Sequence, residues 1–236
     1  MVMDVLQSRS QIDRARTELK RRGVSMLDSR VKRAMRKLWR LNGAIGDEIK
    51  SWDVLKTVEF IEQRVPRNGA ILDIGAYASE ILPALHKLDF THLAGVDLNP
   101  QLRAGPHANV IRYEVADFMA TPFADSSFAA ITAISVIEHG FQGQRLLSEI
   151  ARLLHPGGFF IASFDYWPQK VDTGDQRFFG LDWLIFSESE VRSLIQEARG
   201  YGLAPVGALR FDTSERPVHC AGLHYTFGWL ALEKSA

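Results

Sequence analysis

Five short segments carry residue types that could bind or transform a ligand. Asp73-Ile74-Gly75-Ala76-Tyr77 closes one apolar run and Gly95-Val96-Asp97-Leu98 closes a second. Ala116-Asp117-Phe118 follows a third, Ser135-Val136-Ile137-Glu138-His139-Gly140 a fourth, and Asp165-Tyr166-Trp167-Pro168-Gln169-Lys170 a fifth. A glycine such as Gly75 lets the backbone approach a ligand closely, because no Cβ intervenes. A carboxylate at the end of a strand, such as Asp97 22 residues beyond Gly75, can accept both hydroxyls of a ribose. Asp117 can accept from an adenine amino group while Phe118 covers the ring. His139 can take a proton near neutral pH, with Glu138 and Asp165 beside it as further candidate catalytic groups. The loop after Gly75 lacks the G-x-G-x-x-G spacing of a nicotinamide-dinucleotide site.

These residues need elements that bring them to one edge. Ala70–Gly75, Leu93–Asp97, Val110–Val115, Phe128–Ser135 and Gly158–Phe164 are short apolar runs and read as strands. Residues 79–88, 100–105 and 142–154 lie between them as helices or turns. This alternation predicts a parallel sheet with helices on both faces, whose ligands sit outside the carboxyl ends of the strands. Further helices are expected over residues 4–42, 52–64 and 187–201. The last is opened by the pair Ser187 and Glu190, spaced as a capping box. Two late strands are expected near 204–211 and 221–232. Ser51-Trp52-Asp53 reads either as the cap of the second helix or as a flap over the ligand.

The chain has 236 residues, of which 46% are hydrophobic and 24% charged, enough for a substantial core. Cys220 is the only cysteine, which excludes a disulfide scaffold and a cysteine-built zinc or iron–sulfur site. His219-Cys220-x3-His224 lies in a strand-like run whose side chains alternate faces and cannot all converge on a metal. No apolar run reaches membrane-spanning length and the amino terminus lacks a secretory pattern, so a cytoplasmic protein is expected. The net charge is zero, but residues 1–50 carry 13 Lys and Arg against 6 Asp and Glu. Arg30, Arg33, Lys37 and Arg40 recur at helical spacing and could form one basic face. The expected organisation is a basic helical extension over residues 1–65, then a catalytic domain over 66–236 with a substrate-loop insertion at 165–186.

The ordered series ILDIGAYASE, GVDLNP, VADFMATPFADSSFAAITAISVIEHG and EIARLLHPGGFFIASF resembles the class I S-adenosylmethionine-dependent methyltransferases over roughly residues 68–165. The resemblance implies an α/β, Rossmann-like fold with a seven-stranded, mostly parallel sheet whose last strand is antiparallel. It implies S-adenosyl-L-methionine as cofactor and S-adenosyl-L-homocysteine as product. Asp73 and Gly75 then look like the methionine-side loop, Asp97 like the ribose acceptor, and Asp117 and Phe118 like the adenine contacts. Ala76, Tyr77, Leu98 and Ser135, at the same strand ends, complete the expected cofactor set. The family often has two more glycines where Tyr77 and Ser79 stand, so either the loop takes another path or Tyr77 points away from the cofactor. Ile137-Glu138-His139 is also similar to the magnesium site of plant small-RNA 2′-O-methyltransferases. Ser135 replaces one of its acids and Gly140 a second histidine, so no metal is expected.

Methyl transfer from a sulfonium is an in-line displacement that chiefly needs alignment, and a hydroxyl acceptor also needs a base. The expected reaction is O-methylation of a small molecule or glycan, with His139 as the base. Tyr166, Trp167, Lys170 and Trp183 are the expected acceptor contacts, and Phe178 and Phe179 an expected lid. Three alternatives stay open: an RNA methyltransferase that uses the basic arm, a non-catalytic scaffold of the same fold, and an aminopropyl-transfer relative. The amino-terminal helices could also join two copies into a homodimer.

Overall fold

The computed structural model describes residues 3–27 and 45–235. Met3–Val5 form a short strand, β1, and Arg9–Arg21 the helix α1. Gly23 then adopts φ +70°, and the Val24 and Ser25 amides both donate to the Leu19 carbonyl at 3.1 Å. A left-handed glycine closing the last turn is a strong helix stop. Within the described residues 4–27, the expected helix is therefore corrected to a strand followed by 13 helical residues. Arg30, Arg33, Lys37 and Arg40 lie outside the described residues. Helix α1 buries Ile12, Ala15 and Leu19 against its own chain.

Asp47 caps a 3-10 turn at Glu48–Lys50 by accepting from the Ile49 amide, and the chain continues into α2 (Ser51–Arg64). Next come β2 (Ile71–Ile74), α3 (Ile81–His86), β3 (Leu93–Asp97), a 3-10 turn (Pro100–Ala104) and β4 (Arg112–Val115). The strand β5 (Phe128–Ile134) leads through α4 (Gly143–Leu153) into β6 (Leu154–Tyr166). A small hairpin, β7 (Arg177–Phe178) and β8 (Leu181–Asp182), precedes α5 (Glu188–Gly200). Ser187 and Glu190 form the expected reciprocal capping box. The chain closes with β9 (Leu203–Pro205), β10 (Val218–Cys220) and β11 (Leu223–Lys234). The strand expected over 204–211 is cut to three residues at Pro205, which has no N–H to extend a ladder.

The sheet runs β4-β3-β2-β5-β6-β11, with β1 and β9 sharing the outer side of β11. The first five strands are parallel and β11 is antiparallel to β6, from Thr226 opposite Tyr166 to Glu233 opposite Phe159. This is the Rossmann-like arrangement with seven strand positions. One face packs on α1, α2 and α3 through residues such as Ile12, Val58, Ile61, Leu82 and Trp229. The other packs on α4 and α5 through Leu146, Ile150, Leu194 and Ile195. Burial on both faces explains why the central strands are continuously apolar. β1, from the amino-terminal segment, is a strand of the same sheet as the strands that follow residue 66. No described helix is long and apolar enough to cross a membrane.

Strand order reverses between β2 and β5, which run side by side with Ile74 opposite Ala133. The crevice outside their carboxyl ends is where open α/β sheets bind ligands. Gly75 and Ser135 are the residues that leave those two ends.

Candidate active site

The turn after β2 is shaped by Gly75, at φ +70°, whose amide donates to the Val96 carbonyl at 2.9 Å. A Cβ there would collide with the Val136 side chain, so only glycine lets the β2 and β5 ends close together. The Ala76 amide bonds the same carbonyl at 3.1 Å, and the Tyr77 amide donates to Asp97 Oδ2 at 3.0 Å. The Tyr77 ring points outward, with its hydroxyl donating to Gln101 Oε1 at 2.6 Å. Ala78 takes the left-handed conformation, at φ +62°, in this glycine-poor loop.

Asp97 Oδ1 also accepts from the Asn99 amide at 2.8 Å. Each carboxylate oxygen has room for a second donor, so Asp97 is fixed by the backbone yet still able to accept two hydroxyls. Leu98 beside it is 58% exposed, an apolar surface at the rim of the same crevice. Asp117 accepts from the Met119 amide and from exposed Arg145, while Phe118 is half-buried. Asp73 lies underneath, buried, with Oδ1 accepting from Thr132 Oγ1 at 2.6 Å. Burial pushes Asp73 up to about 7, against the pull of Thr132 and Ser79. Asp73 therefore ties β2 to β5, whereas Gly75, Asp97 and Leu98 stand at the strand ends that border the crevice, with Ala76 packed beneath them. The hollow bounded by Arg64, Asn68, Ser127 and His155 lies at the opposite, amino-terminal ends of the strands.

Beside this crevice, over the carboxyl ends of β5 and β6, sits a buried polar nest. Lys50 Nζ donates to Ser135 Oγ, lies 3.8 Å from Asp165 Oδ1 and stands 3.7 Å over the Phe227 ring. Asp53 is fully buried and accepts from Ser163 Oγ at 2.8 Å. Ser163 also binds the Ser135 amide through its carbonyl at 3.0 Å and its hydroxyl at 3.2 Å. Trp183 Nε1 donates to Asp165 Oδ2 at 2.8 Å. Glu138 is 1% exposed, and its two oxygens have no hydrogen-bond partner among the described residues. Asp53 Oδ1 and His139 Nδ1 are likewise unpartnered there. His139 packs edge-on to Phe178 and Phe179 at 5.9 and 5.6 Å.

The charges in this nest are set by burial. Burial, then the Asp165 charge, pushes Glu138 up to about 8 against the pull of Lys50. Burial also raises Asp165, but Lys50, Trp183 and Tyr225 draw it back. Asp53 rises to about 6 from burial, moderated by Lys50 and Ser163. His139 falls to about 4, from burial and then the Lys50 charge, so it is neutral at physiological pH. At neutral pH Glu138 thus holds a proton, and Asp165 lies beside the Lys50 ammonium with its own affinity for a proton raised by burial.

A consequence for stability follows from these raised carboxyls. Asp53, Asp73 and Glu138 bind protons more tightly in the folded chain than in the unfolded one. Their contribution is therefore fullest in acid and is lost as pH rises from the ordinary carboxyl range through their folded values, because the unfolded state then binds fewer protons. A tenfold difference in proton affinity corresponds to about 1.4 kcal/mol. Glu138→Gln, which cannot ionise, is expected to flatten the loss between about pH 5 and about pH 8 by a few kcal/mol. Denaturant melts across that range check this, and parallel wild-type and variant curves would contradict it.

Of the four expected acceptor contacts, only Trp183 joins the nest. Tyr166 projects to the other face of β6, where its hydroxyl donates to the Phe211 carbonyl at 2.9 Å. Lys170 pairs with Glu190 on the surface at 2.9 Å. Trp167 is buried, with the Arg216 guanidinium 3.9 Å over its ring. The expectations for Tyr166 and Lys170 are corrected, since strand alternation and surface pairing take their side chains elsewhere, whereas Trp167 stays on the Asp165 side of the run. No side chain of the Ser51–Asp53 segment caps α2, whose N-cap is Lys50, and Asp53 points into the nest. Lys50, Ser163 and Tyr225 are site residues that the motifs did not single out, and Asp53 reads from the sequence only as part of a cap or flap. His219 and His224 face each other across the β10–β11 pair, their rings 4.4 Å apart.

Comparison with known proteins bears on the crevice. Residues 72–162 match the family described as Methyltransferase domain. A sterol 24-C-methyltransferase of Gibberella zeae is 33% identical over 98 residues, covering 38% of this chain and 26% of that protein. An uncharacterized methyltransferase of Mycobacterium sp. (strain KMS) is 29% identical over 130 residues, covering 54% and 51%. The chain thus aligns with about half or less of these curated relatives. The solved geranyl diphosphate C-methyltransferase of Streptomyces coelicolor A3(2), in complex with S-adenosyl-L-homocysteine, shares the fold with a TM-score of 0.59. It is 17% identical and the overlap covers 76% of this chain and 78% of that one.

Proposed function

From a chain whose residues 72–162 belong to the class I S-adenosylmethionine-dependent methyltransferases, we propose that this protein transfers a methyl group to a hydroxyl of a small molecule or glycan. The cofactor fits the crevice on its own residues. Gly75 lets the β2 and β5 ends close together at the crevice, Asp97 has acceptor capacity for two ribose hydroxyls, and exposed Leu98 offers a face for adenine. Ala76, Phe118 and Asp117 would line the rest. S-adenosylmethionine supplies an electrophilic methyl group on a sulfonium when bound.

The nest carries the choice of acceptor. Glu138, Asp53 and His139 present buried polar atoms with no partner among the described residues, and a ligand bringing O–H groups satisfies them. Lys50 disfavours a cationic amine there, since its ammonium already occupies the nest. Protonated Glu138 can donate to one acceptor oxygen beside the Lys50–Asp165 pair. His139 Nδ1 takes the proton of the reacting hydroxyl as the new O–C bond forms and the C–S bond breaks, then releases it to solvent.

The test is a methyl-transfer assay with matched panels of polyols, phenols, amines and thiols, read by mass spectrometry and by S-adenosylhomocysteine release. Turnover confined to hydroxyl compounds supports the reading. Turnover on amines or thiols alone replaces the acceptor class, and cofactor binding without turnover across the panels supports the scaffold alternative.

A further inference from the structure

The hairpin over His139 breaks a local rule. Phe178 pairs with Leu181, so Phe179 and Gly180 are the two turn residues, with φ +57° and +80°. A two-residue turn with both φ positive favours Asn, Asp or Gly at its first position. A bulky aromatic is disfavoured there because its Cβ crowds the backbone. Nor is Phe179 offset by burial, since it is 90% exposed. A residue that costs the fold locally and packs little points to use elsewhere.

The hairpin's position suggests that use. Gly140 N–H donates to the Asp182 carbonyl at 2.8 Å, and Leu184 N–H to the Glu138 carbonyl at 2.9 Å. The hairpin is thereby fixed to the turn that carries Glu138 and His139. Phe178 stacks edge-on to Trp183 at 5.1 Å, and Leu181, 38% exposed, lies against Gly140. An apolar, solvent-facing rim therefore stands on a nest of unpartnered polar atoms.

We propose that the methyl acceptor is an amphiphile, with its hydroxyl-bearing part in the nest and its hydrocarbon part covered by Phe179 and Leu181. This rests on the acceptor site described above. The rim's continuity with His139 favours a part of the acceptor as its occupant over a separate protein partner.

Alkyl β-glucosides of increasing chain length, kept below their micellar concentrations, serve as probes. They are titrated by calorimetry into the wild-type protein saturated with S-adenosylhomocysteine. Affinity is expected to rise about threefold for each of the first few methylenes. Phe179→Asn installs a favoured turn residue and removes the apolar tip. It is expected to keep or raise Tm, keep S-adenosylhomocysteine affinity and lose most of the chain-length gain. A wild-type affinity independent of chain length, or a gain fully retained in Phe179→Asn, overturns the proposal. Failure of the underlying methyltransferase reading registers separately, as absence of S-adenosylhomocysteine binding to the wild type.

Discussion

Asp97→Ala is expected to weaken S-adenosylhomocysteine binding about 10²- to 10⁴-fold. The substitution removes an acceptor for two ribose hydroxyls, and hydrogen bonds to a charged group contribute about 1.5–3 kcal/mol each. It also frees the Tyr77 and Asn99 amides, whose bonds to Asp97 shape the turns on either side of the crevice. Asp97→Asn, which keeps one oxygen, is expected to fall between wild type and alanine. Calorimetry measures both. A loss below about threefold, well under one such bond, would remove Asp97 from the cofactor site.

His139→Asn is expected to lower kcat by about 10²- to 10⁴-fold on the best hydroxyl acceptor, the usual range for a general base. The KM for S-adenosylmethionine should change little, because His139 belongs to the β8-facing side of the nest and not to the Asp97 crevice. The pH profile carries a sharper signature. With His139 lowered to about 4, its neutral form persists well into acid, so the acid limb of kcat lies near pH 4 instead of near the ordinary histidine value of about 6.5. A limb at the ordinary value, or a kcat within about tenfold of wild type in the variant, would assign the proton to another group.

Much of the scaffold was legible because its strands are buried on both faces. Ile71–Ile74, Leu93–Asp97 and Phe128–Ile134 are predominantly apolar and bounded by turn residues, so their ends, and the acids placed on them, could be read directly. The amino terminus was not legible in the same way. β1 has only three residues and gains its order from pairing with β11, more than two hundred residues away. Gly23 was a readable stop, obscured by the charged helical pattern that continues after it. The acceptor segment was misread through face alternation. Asp165 and Trp167 share one side of their run while Tyr166 must point to the other, and the structure places Tyr166 in the opposite core. Lys50 carried a signal that was missed, and Asp53 was legible only as part of a cap or flap. They share a helical face with Val54, Thr57, Val58 and Ile61, a charged pair at the head of a buried stripe. Ser163 and Tyr225 had no local signal, because only the sheet brings them to Asp53 and Asp165.

The most direct measurement is a crystal structure of the protein with S-adenosylhomocysteine bound. The expected result has both ribose hydroxyls on Asp97, adenine against Leu98 and Phe118, and the sulfur turned toward Ser135 and the Glu138–His139 turn. A cofactor bound away from Asp97, or one whose sulfur faces away from the nest, would contradict methyl transfer at this site.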